Sequence, residues 1–527
     1  MDFNLISNRS YHLMWMALIC FSGLSIYISS CQSKDYDERP HVILISVDDM
    51  GWSDLGCYGS EINTPNLDSL AFNGIRFTQF YNTSKCFPSR ASLLTGVYAQ
   101  DCGYDQTFSD PIRHAVTLGE VLGEAGYSTY WSGKHHGSEN PINRGFDRYY
   151  GLNDGACNHF NPGNQRPGEP APARKRDNRK WAIDHEIIQP YTPPSDFYTT
   201  DYFTDYAIDF LKEGQLLEQP VFLYLAYTAP HDPIMAWPED ISKYKGVYDL
   251  GYEHIRRKRF AKQQSMGLVD KTYSLSEPTF PQWESLTDSI QQYESKVMQV
   301  YAAMIDRLDQ NIGRLLGTLR ELNMAENTLI MFVSDNGASA EMVRLKDDDD
   351  TAEIGTLSRW ISLGSNWANV SNTPFRYFKN YPYEGGINTP LIAYWPKAIE
   401  SSGISQFPGH FIDFMATVVE VGDATYPKSY NEQPITPMRG ESLVPAFNSD
   451  RIEREKPLFF QWRKGQAMRE GPFKIVRNNN EDPWAMYNLQ VDPTETMDIS
   501  QEDPARLNSM STAFEEWLSQ YTSQPIQ

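Results

Sequence analysis

The chain has 527 residues, 40% hydrophobic and 13% aromatic, which fills a sizeable core and excludes global disorder. Its 46 basic side chains against 68 acidic ones leave a formal net charge of -22. That balance excludes nucleic acid as a partner, because phosphate binding needs a basic face; a polyanion can still be held locally.

The first element in chain order is the apolar run Leu13 to Ile28, which follows Arg9 and ends in Ile28-Ser29-Ser30-Cys31. It is too short and wrongly flanked to span a membrane and reads as a signal-peptide core. Small residues before Cys31 resemble a bacterial lipobox, in which the Cys is lipidated and becomes the mature N-terminus. An ordinary secretory signal with an incidental Cys is the alternative. The expectation is a lipoprotein signal peptide over 1–31, with the mature chain anchored in the outer membrane by lipid on Cys31, facing either side. Beyond the leader, Cys57, Cys86, Cys102 and Cys157 are too few and too widely spaced for a disulfide framework.

From His41 the pattern alternates in the manner of an α/β protein. Val42–Val47 is an apolar run fit for a strand buried on both faces, followed by Asp48-Asp49-Met50-Gly51. A helix is expected over Asn66–Phe72, a strand over Ile75–Tyr81, and a helix over Leu118–Ala125 closed by Gly126. The strand Tyr127–Trp131 leads into Gly133-Lys134-His135-His136. Residues 153–200 read as a long surface excursion. A helix over Tyr202–Leu211 and a strand over Val221–Tyr227 then open into Ala229-Pro230-His231-Asp232-Pro233. A second excursion, 236–285, precedes a long amphipathic helix over Tyr293–Leu322. The strand Thr328–Val333 ends in Ser334-Asp335-Asn336-Gly337, and a further strand over Leu391–Trp395 and a helix over Phe411–Val421 follow. Past about 430, Pro457–Trp462, Gln466–Arg469 and Phe473–Arg477 read as antiparallel strands closed by a helix over Ala505–Tyr521. The basic runs Arg174-Lys175-Arg176 with Arg179-Lys180, and Arg256-Arg257-Lys258-Arg259, read as solvated surface, as does Asp347–Asp350.

The polar residues cluster at the carboxyl ends of strands, where ligand sites form in open α/β sheets. Asp48, Asp49, Lys134, His136, His231, Asp335 and Asn336 all fall there. Asp48, Asp49, Asp335 and Asn336 offer only oxygen, which selects calcium or magnesium over zinc. An adjacent pair of buried carboxylates is repulsive unless a cation lies between them. Arg90, Lys134 and Lys379 suit a tetrahedral oxyanion. The imidazole rings of His136 and His231 ordinarily titrate near neutrality, which suits proton transfer, whereas His135 reads as structural.

Cys86 stands in Ser84-Lys85-Cys86-Phe87-Pro88-Ser89-Arg90-Ala91-Ser92-Leu93-Leu94-Thr95-Gly96, where a loop gives way to a helix and free backbone N–H groups meet the side chain. This Cys-x-Pro-Ser-Arg core resembles the maturation signature of the formylglycine-dependent sulfatases. Val47-Asp48-Asp49-Met50-Gly51, Gly133-Lys134-His135-His136, Ala229–Pro233, Ser334–Gly337 and Lys379 to Glu384-Gly385-Gly386 follow in that family's order, from about His41 to beyond Arg477.

The resemblance implies an alkaline-phosphatase-like α/β fold. A large, mostly parallel mixed sheet lies between helices over 39–428, with a smaller antiparallel-sheet subdomain and packed helix over 429–527. It also implies a sulfatase acting on a sulfated carbohydrate or aryl sulfate, nearest to bacterial arylsulfatases, with Cys86 oxidised to formylglycine by a sulfatase-maturating enzyme before export. Asp48, Asp49, Asp335, Asn336 and the modified Cys86 would hold one calcium ion. Arg90 and Lys134 would hold the formylglycine and Lys379 the sulfate. Asp335 would accept the nucleophile's proton, His231 would protonate the leaving alcohol, and His136 would take a proton as sulfate leaves. Val97-Tyr98-Ala99-Gln100-Asp101-Cys102-Gly103 departs from the family's pattern and bears on the substrate-facing surface. Alternatives are a formylglycine phosphonate or phosphodiester hydrolase, and a non-catalytic glycan-binding lipoprotein. The last predicts lost catalytic residues, and none is missing.

Overall fold

In the computed structural model, which describes residues 38–174, 179–345, 349–448 and 453–522, the apolar runs form the middle of one 11-stranded sheet. Its strands are β1 (His41–Val47), β2 (Ile75–Tyr81), β3 (Ser128–Gly133), β4 (Arg148–Leu152), β5 (Trp181–Ile183) and β6 (Glu186–Ile188). They continue as β7 (Val221–Ala226), β8 (Thr328–Ser334), β9 (Asn388–Tyr394), β10 (Gly403–Ser405) and β11 (Gly409–His410). The order across the sheet is β10-β2-β9-β8-β1-β7-β3-β4-β5-β6, with β11 beside β2. β8, β1, β7, β3 and β4 lie side by side and parallel; β9 runs antiparallel to both neighbours, and β5 to both of its own.

Burial on both faces explains why these strands are apolar throughout rather than alternating. Ile43, Ile45 and Val47 pack on one face against the helix Asp288–Glu321 through Tyr301, Met304, Ile305 and Leu308. Val42 and Leu44 pack on the other, with Leu93, Leu94, Val121, Leu122, Phe414 and Met415 from the helices Cys86–Thr95, Leu118–Glu124 and Asp413–Val421. Each such side chain contributes about 1.5–3 kcal/mol on burial. The long helix is capped by Thr287, whose hydroxyl accepts from the Ile290 N–H, and its inward face carries the apolar residues at helical spacing.

A short hairpin, β12 (Ser429–Tyr430) and β13 (Gln433–Pro434), precedes a 4-stranded antiparallel sheet. That sheet is β14 (Leu458–Trp462), β15 (Gly465–Glu470), β16 (Phe473–Arg477) and β17 (Ala485–Asn488). The helix Pro504–Thr522 covers it, and Phe460, Ile475, Met486 and Phe514 form a core there with Tyr81 and Ile387 of the large sheet region.

Three expectations need correction. Residues 153–200 are not wholly a surface excursion, since they supply β5, β6 and the start of the helix Thr199–Leu216. Residues 236–285 contain the helices Pro238–Ser242 and Gly251–Ser265. The second helix buries Arg256 and Arg259 while Arg257 and Lys258 stay exposed, so half of a run read as solvated lies inside. The reason is local pairing. Arg259 meets Asp54 at 2.6 Å and Glu61 at 2.7 Å, and Arg256 donates to the carbonyl and hydroxyl of Ser276. Arg179 is buried too, whereas Lys175 and Arg176 lie outside the described residues. The leader expected over 1–31, with Cys31, also lies outside them. Among the described residues no helix is long and apolar enough to cross a membrane.

Candidate active site

The carboxyl ends of four adjacent parallel strands converge on one place. Asp48 and Asp49 follow β1, Lys134 and His136 follow β3, His231 lies five residues past β7, and Asp335 and Asn336 follow β8. Cys86 is the first residue of the helix after β2, buried to 2% exposure, and Arg90 shares its helix face one turn on. Lys379 arrives from the opposite direction. Because β9 runs antiparallel to β8, the loop that feeds it starts at the same edge.

Each of the three buried acids has a cation beside it. Lys134 donates to Asp48, Lys379 Nζ donates to Asp49 at 2.8 Å, and Arg90 Nε donates to Asp335 Oδ2 at 2.8 Å. Asp49 holds a left-handed backbone, and its N–H donates to Asp335 Oδ1 at 3.3 Å. Asn336 Nδ2 donates to Asp49 Oδ1 at 2.6 Å. Burial works to raise Asp48, but Lys134, His231 and Arg90 outweigh it and hold that carboxyl well below the usual range. Burial pushes Asp335 the other way, up to about 6, helped by the Asp48 charge against Arg90. Two neighbouring carboxylates with separated proton affinities can take different parts in acid–base chemistry.

The two histidines sit in contrasting surroundings. Burial opposes the charge of His231, but Asp49, Asp48 and Asp232 raise its ring to about 10. Its Nε2 lies 3.5 Å from Asp49 Oδ2, and its Nδ1 is 2.9 Å from Asp232 Oδ1. Asp232 is fixed in turn by the Ser362 hydroxyl at 2.5 Å and the Trp360 indole at 3.3 Å. His136 lies between the rings of Phe87 and Phe108, with its Nδ1 buried and unpartnered. Burial, with Lys134, holds its ring far below the ordinary value, so it is a neutral acceptor. His135 stacks edge-on against Trp131, and burial pulls it down to about 3, in keeping with a structural role.

Asp48 Oδ1 and Asn336 Oδ1 are buried acceptors with no hydrogen-bond partner. Two orphaned oxygens beside Asp49 and Asp335 fit a hard divalent cation. Asp48, Asp49 and His231 also each place a ligand atom within 4.8 Å of the others.

Sequence reasoning did not single out Asp232, Ser362, Asn380 or Glu341, the last of which lies 3.2 Å from Lys379 Nζ and accepts from Asn380 Nδ2. Asp232 was legible by adjacency to His231. Glu341 and Ser362 lie in loops, where no periodicity points inward. Cys57, Cys86, Cys102 and Cys157 are all buried and unpaired.

A family model described as sulfatase matches residues 40–424, and one described as N-sulphoglucosamine sulphohydrolase, C-terminal, matches 374–524. The chain belongs to the sulfatase family. This sulfatase is 34% identical over 449 residues to the arylsulfatase of Klebsiella aerogenes, covering 80% of this chain and 95% of that one. An uncharacterized sulfatase of Schizosaccharomyces pombe is 30% identical over 529 residues, covering 91% of this chain and 93% of that one. The crystal structure of Ps i-CgsB in complex with k-i-k-neocarrahexaose matches at a TM-score of 0.66 and 25% identity, covering 91% of this chain and 92% of that chain. The sulfatase is a sulfuric ester hydrolase of alkaline-phosphatase-like fold, of the kind that acts on sulfated glycans or aryl sulfates.

Proposed function

We propose that this sulfatase works through a formylglycine made from Cys86 and one calcium ion held by Asp48, Asp49, Asp335 and Asn336. The observation that carries the reading is the placement of Cys86 at a helix start, one turn from Arg90, among three acid–cation pairs and two orphaned oxygens. Calcium, when bound, supplies the charge that polarises a sulfate oxygen. Formylglycine, when hydrated, supplies one hydroxyl to attack sulfur and a second that lets sulfate leave by elimination.

The chain's own residues do the rest. Lys379 takes the sulfate, and Arg90 and Lys134 hold the nucleophile while neutralising Asp335 and Asp48. Asp335 accepts the attacking hydroxyl's proton, held in place by Arg90 Nε at 2.8 Å. His231 donates the Nε2 proton to the leaving oxygen, and Asp232 accepts at Nδ1 to fix the ring. His136, neutral and walled by Phe87 and Phe108, accepts a proton in the step that releases sulfate. The host supplies a maturating enzyme that oxidises Cys86. The leader and Cys31 support an exported, lipid-anchored outer-membrane enzyme that meets sulfated glycans outside the inner membrane.

Mass spectrometry of the Cys86 peptide from active enzyme tests this directly, and the expected result is the mass of CHO in place of CH2SH. Cys86→Ala should abolish aryl sulfate hydrolysis with an unchanged circular dichroism spectrum. An intact thiol in fully active enzyme, or turnover in Cys86→Ala, would end the formylglycine reading. A large advantage for an aryl phosphodiester over an aryl sulfate would move the assignment to a phosphoester hydrolase. Cys31→Ala should release the protein from the membrane fraction.

A further inference from the structure

Glu341 lies in the loop between β8 and the helix Gly364–Ser371, and no step described above uses it. Its Oε1 accepts from Lys85 Nζ at 2.7 Å and from Asn380 Nδ2 at 3.1 Å, and its Oε2 lies 3.2 Å from Lys379 Nζ. The Lys379 side chain is fully buried, whereas that of Glu341 is 38% exposed. A carboxylate therefore stands between solvent and the lysine assigned to the sulfate. Burial opposes its ionisation, but Lys379 and Lys85 prevail and keep it an anion.

Glu341 also lines one small cavity with Pro230, His231, Asp232, Ser339 and Leu363. The cavity is only about 10 Å³, so if His231 protonates the leaving oxygen, the group carried on that oxygen lies outside it, on the side where the partly exposed Glu341 stands. Asp232 is buried and held by His231, Ser362 and Trp360, whereas the Glu341 side chain is 38% exposed, so the carboxylate of Glu341 is the one that faces the substituents of the leaving group. Lys85 and Lys379 balance part of this charge, but a second sulfate or a carboxylate brought within about 5 Å of Glu341 is still disfavoured by about tenfold relative to a neutral side chain at that position. Hydroxyl or amino groups would instead find a hydrogen-bond acceptor.

We propose that Glu341 is a specificity-determining residue that admits leaving groups bearing hydroxyl or amino substituents beside the scissile sulfate and rejects those bearing a second anion there. This rests on the assignment of His231 as the acid for the leaving group. The substrate class is thus a singly sulfated, otherwise uncharged or amino-bearing unit.

The test uses the mature, calcium-loaded enzyme and two matched probes: phenyl sulfate with an ortho carboxamide, and phenyl sulfate with an ortho carboxylate. The quantity read is the ratio of their kcat/KM values, in which any change common to both substrates through Lys379 cancels. Wild type should favour the carboxamide by about tenfold or more relative to Glu341→Gln. Glu341→Ala should shift the ratio in the same direction as Glu341→Gln, and Glu341→Asp, which keeps the charge, should stay near wild type. A ratio that agrees within about twofold in wild type, Glu341→Gln and Glu341→Ala would overturn the proposal while leaving the catalytic reading intact. No turnover of either probe by the mature wild type would overturn both.

Discussion

Arg259 is a planar fork between two buried carboxylates, Asp54 at 2.6 Å and Glu61 at 2.7 Å, with the Ser53 hydroxyl at 3.0 Å. Removing the cation leaves two acids in the interior with no counter-charge. Arg259→Met should therefore lower the unfolding free energy by about 3–5 kcal/mol, read from the urea midpoint, and a loss below about 1 kcal/mol would show that the acids are compensated elsewhere. Gly155 matters for a different reason, since a Cβ there would come 2.6 Å from His136 Nε2. Gly155→Ala should push the ring off its place and lower kcat about tenfold or more, with little change in melting temperature. Asp48, Asp49, Lys134, His136, Asp335 and Asn336 were legible because each stands just past an apolar run, and a polar residue after a buried strand has few places to go, whereas Cys86, Arg90 and Lys379 were legible through the motifs that carry the family resemblance. Glu341, Asp232 and the paired Arg259 were not. Their partners are distant in sequence, and a charge on a loop or helix reads as solvated until its counter-charge is located.

At the scale of elements, the length and apolarity of a run mark a strand but not its direction or its neighbours. Ile75–Tyr81 and Phe473–Arg477 coincide with β2 and β16, whereas the antiparallel sense of β9 and the existence of β17 came only from the structure. The four residues of β17 are too few for periodicity to show. The long helix was read from Tyr293 but begins at Asp288, because its first turn is exposed and carries no apolar stripe.

The small sheet is joined to the active-site loop by Lys474, which lies 2.8 Å from Glu384 and 2.7 Å from Glu495, all three buried. One ammonium serves two carboxylates. Burial, with Glu384 close by, pushes Glu495 from its ordinary 4.5 up to about 7 despite Lys474. A folded-state affinity raised in this way means that the proton favours folding. Its contribution is complete below the unfolded value and is lost as pH rises through about 7. Thermal melts from about pH 4.5 to 8 should show wild type losing stability up to about pH 7 and levelling off above it, and Glu495→Gln should flatten the loss. Equal slopes for the two proteins would assign the dependence to other groups.

For the molecule as a whole, a net charge of -22 makes compaction costly, and Asp48, Asp49 and Asp335 are concentrated in one buried place. A cation bound there favours the folded state by mass action, about 2.7 kcal/mol at one hundred times its dissociation constant. The melting temperature should rise with added calcium and fall, together with activity, on exhaustive chelation. Unchanged melting and activity in chelator would remove the metal assignment for these residues.

Cys86 sits at 2% exposure in the first turn of its helix, beneath Phe87, whose ring packs on Trp462 from the distant β14. That helix is in place only when strands separated by hundreds of positions have been joined. No enzyme can grasp Cys86 in the finished protein, so the oxidation proposed above would have a deadline. On that proposal it would have to happen on the nascent or unfolded chain, before β14 closes over the helix. Molecules that fold first would then stay unmatured, and the active fraction of a preparation would record a race between oxidation and folding. Slowing folding should raise that fraction, and overproduction beyond the capacity of the maturating enzyme should lower it.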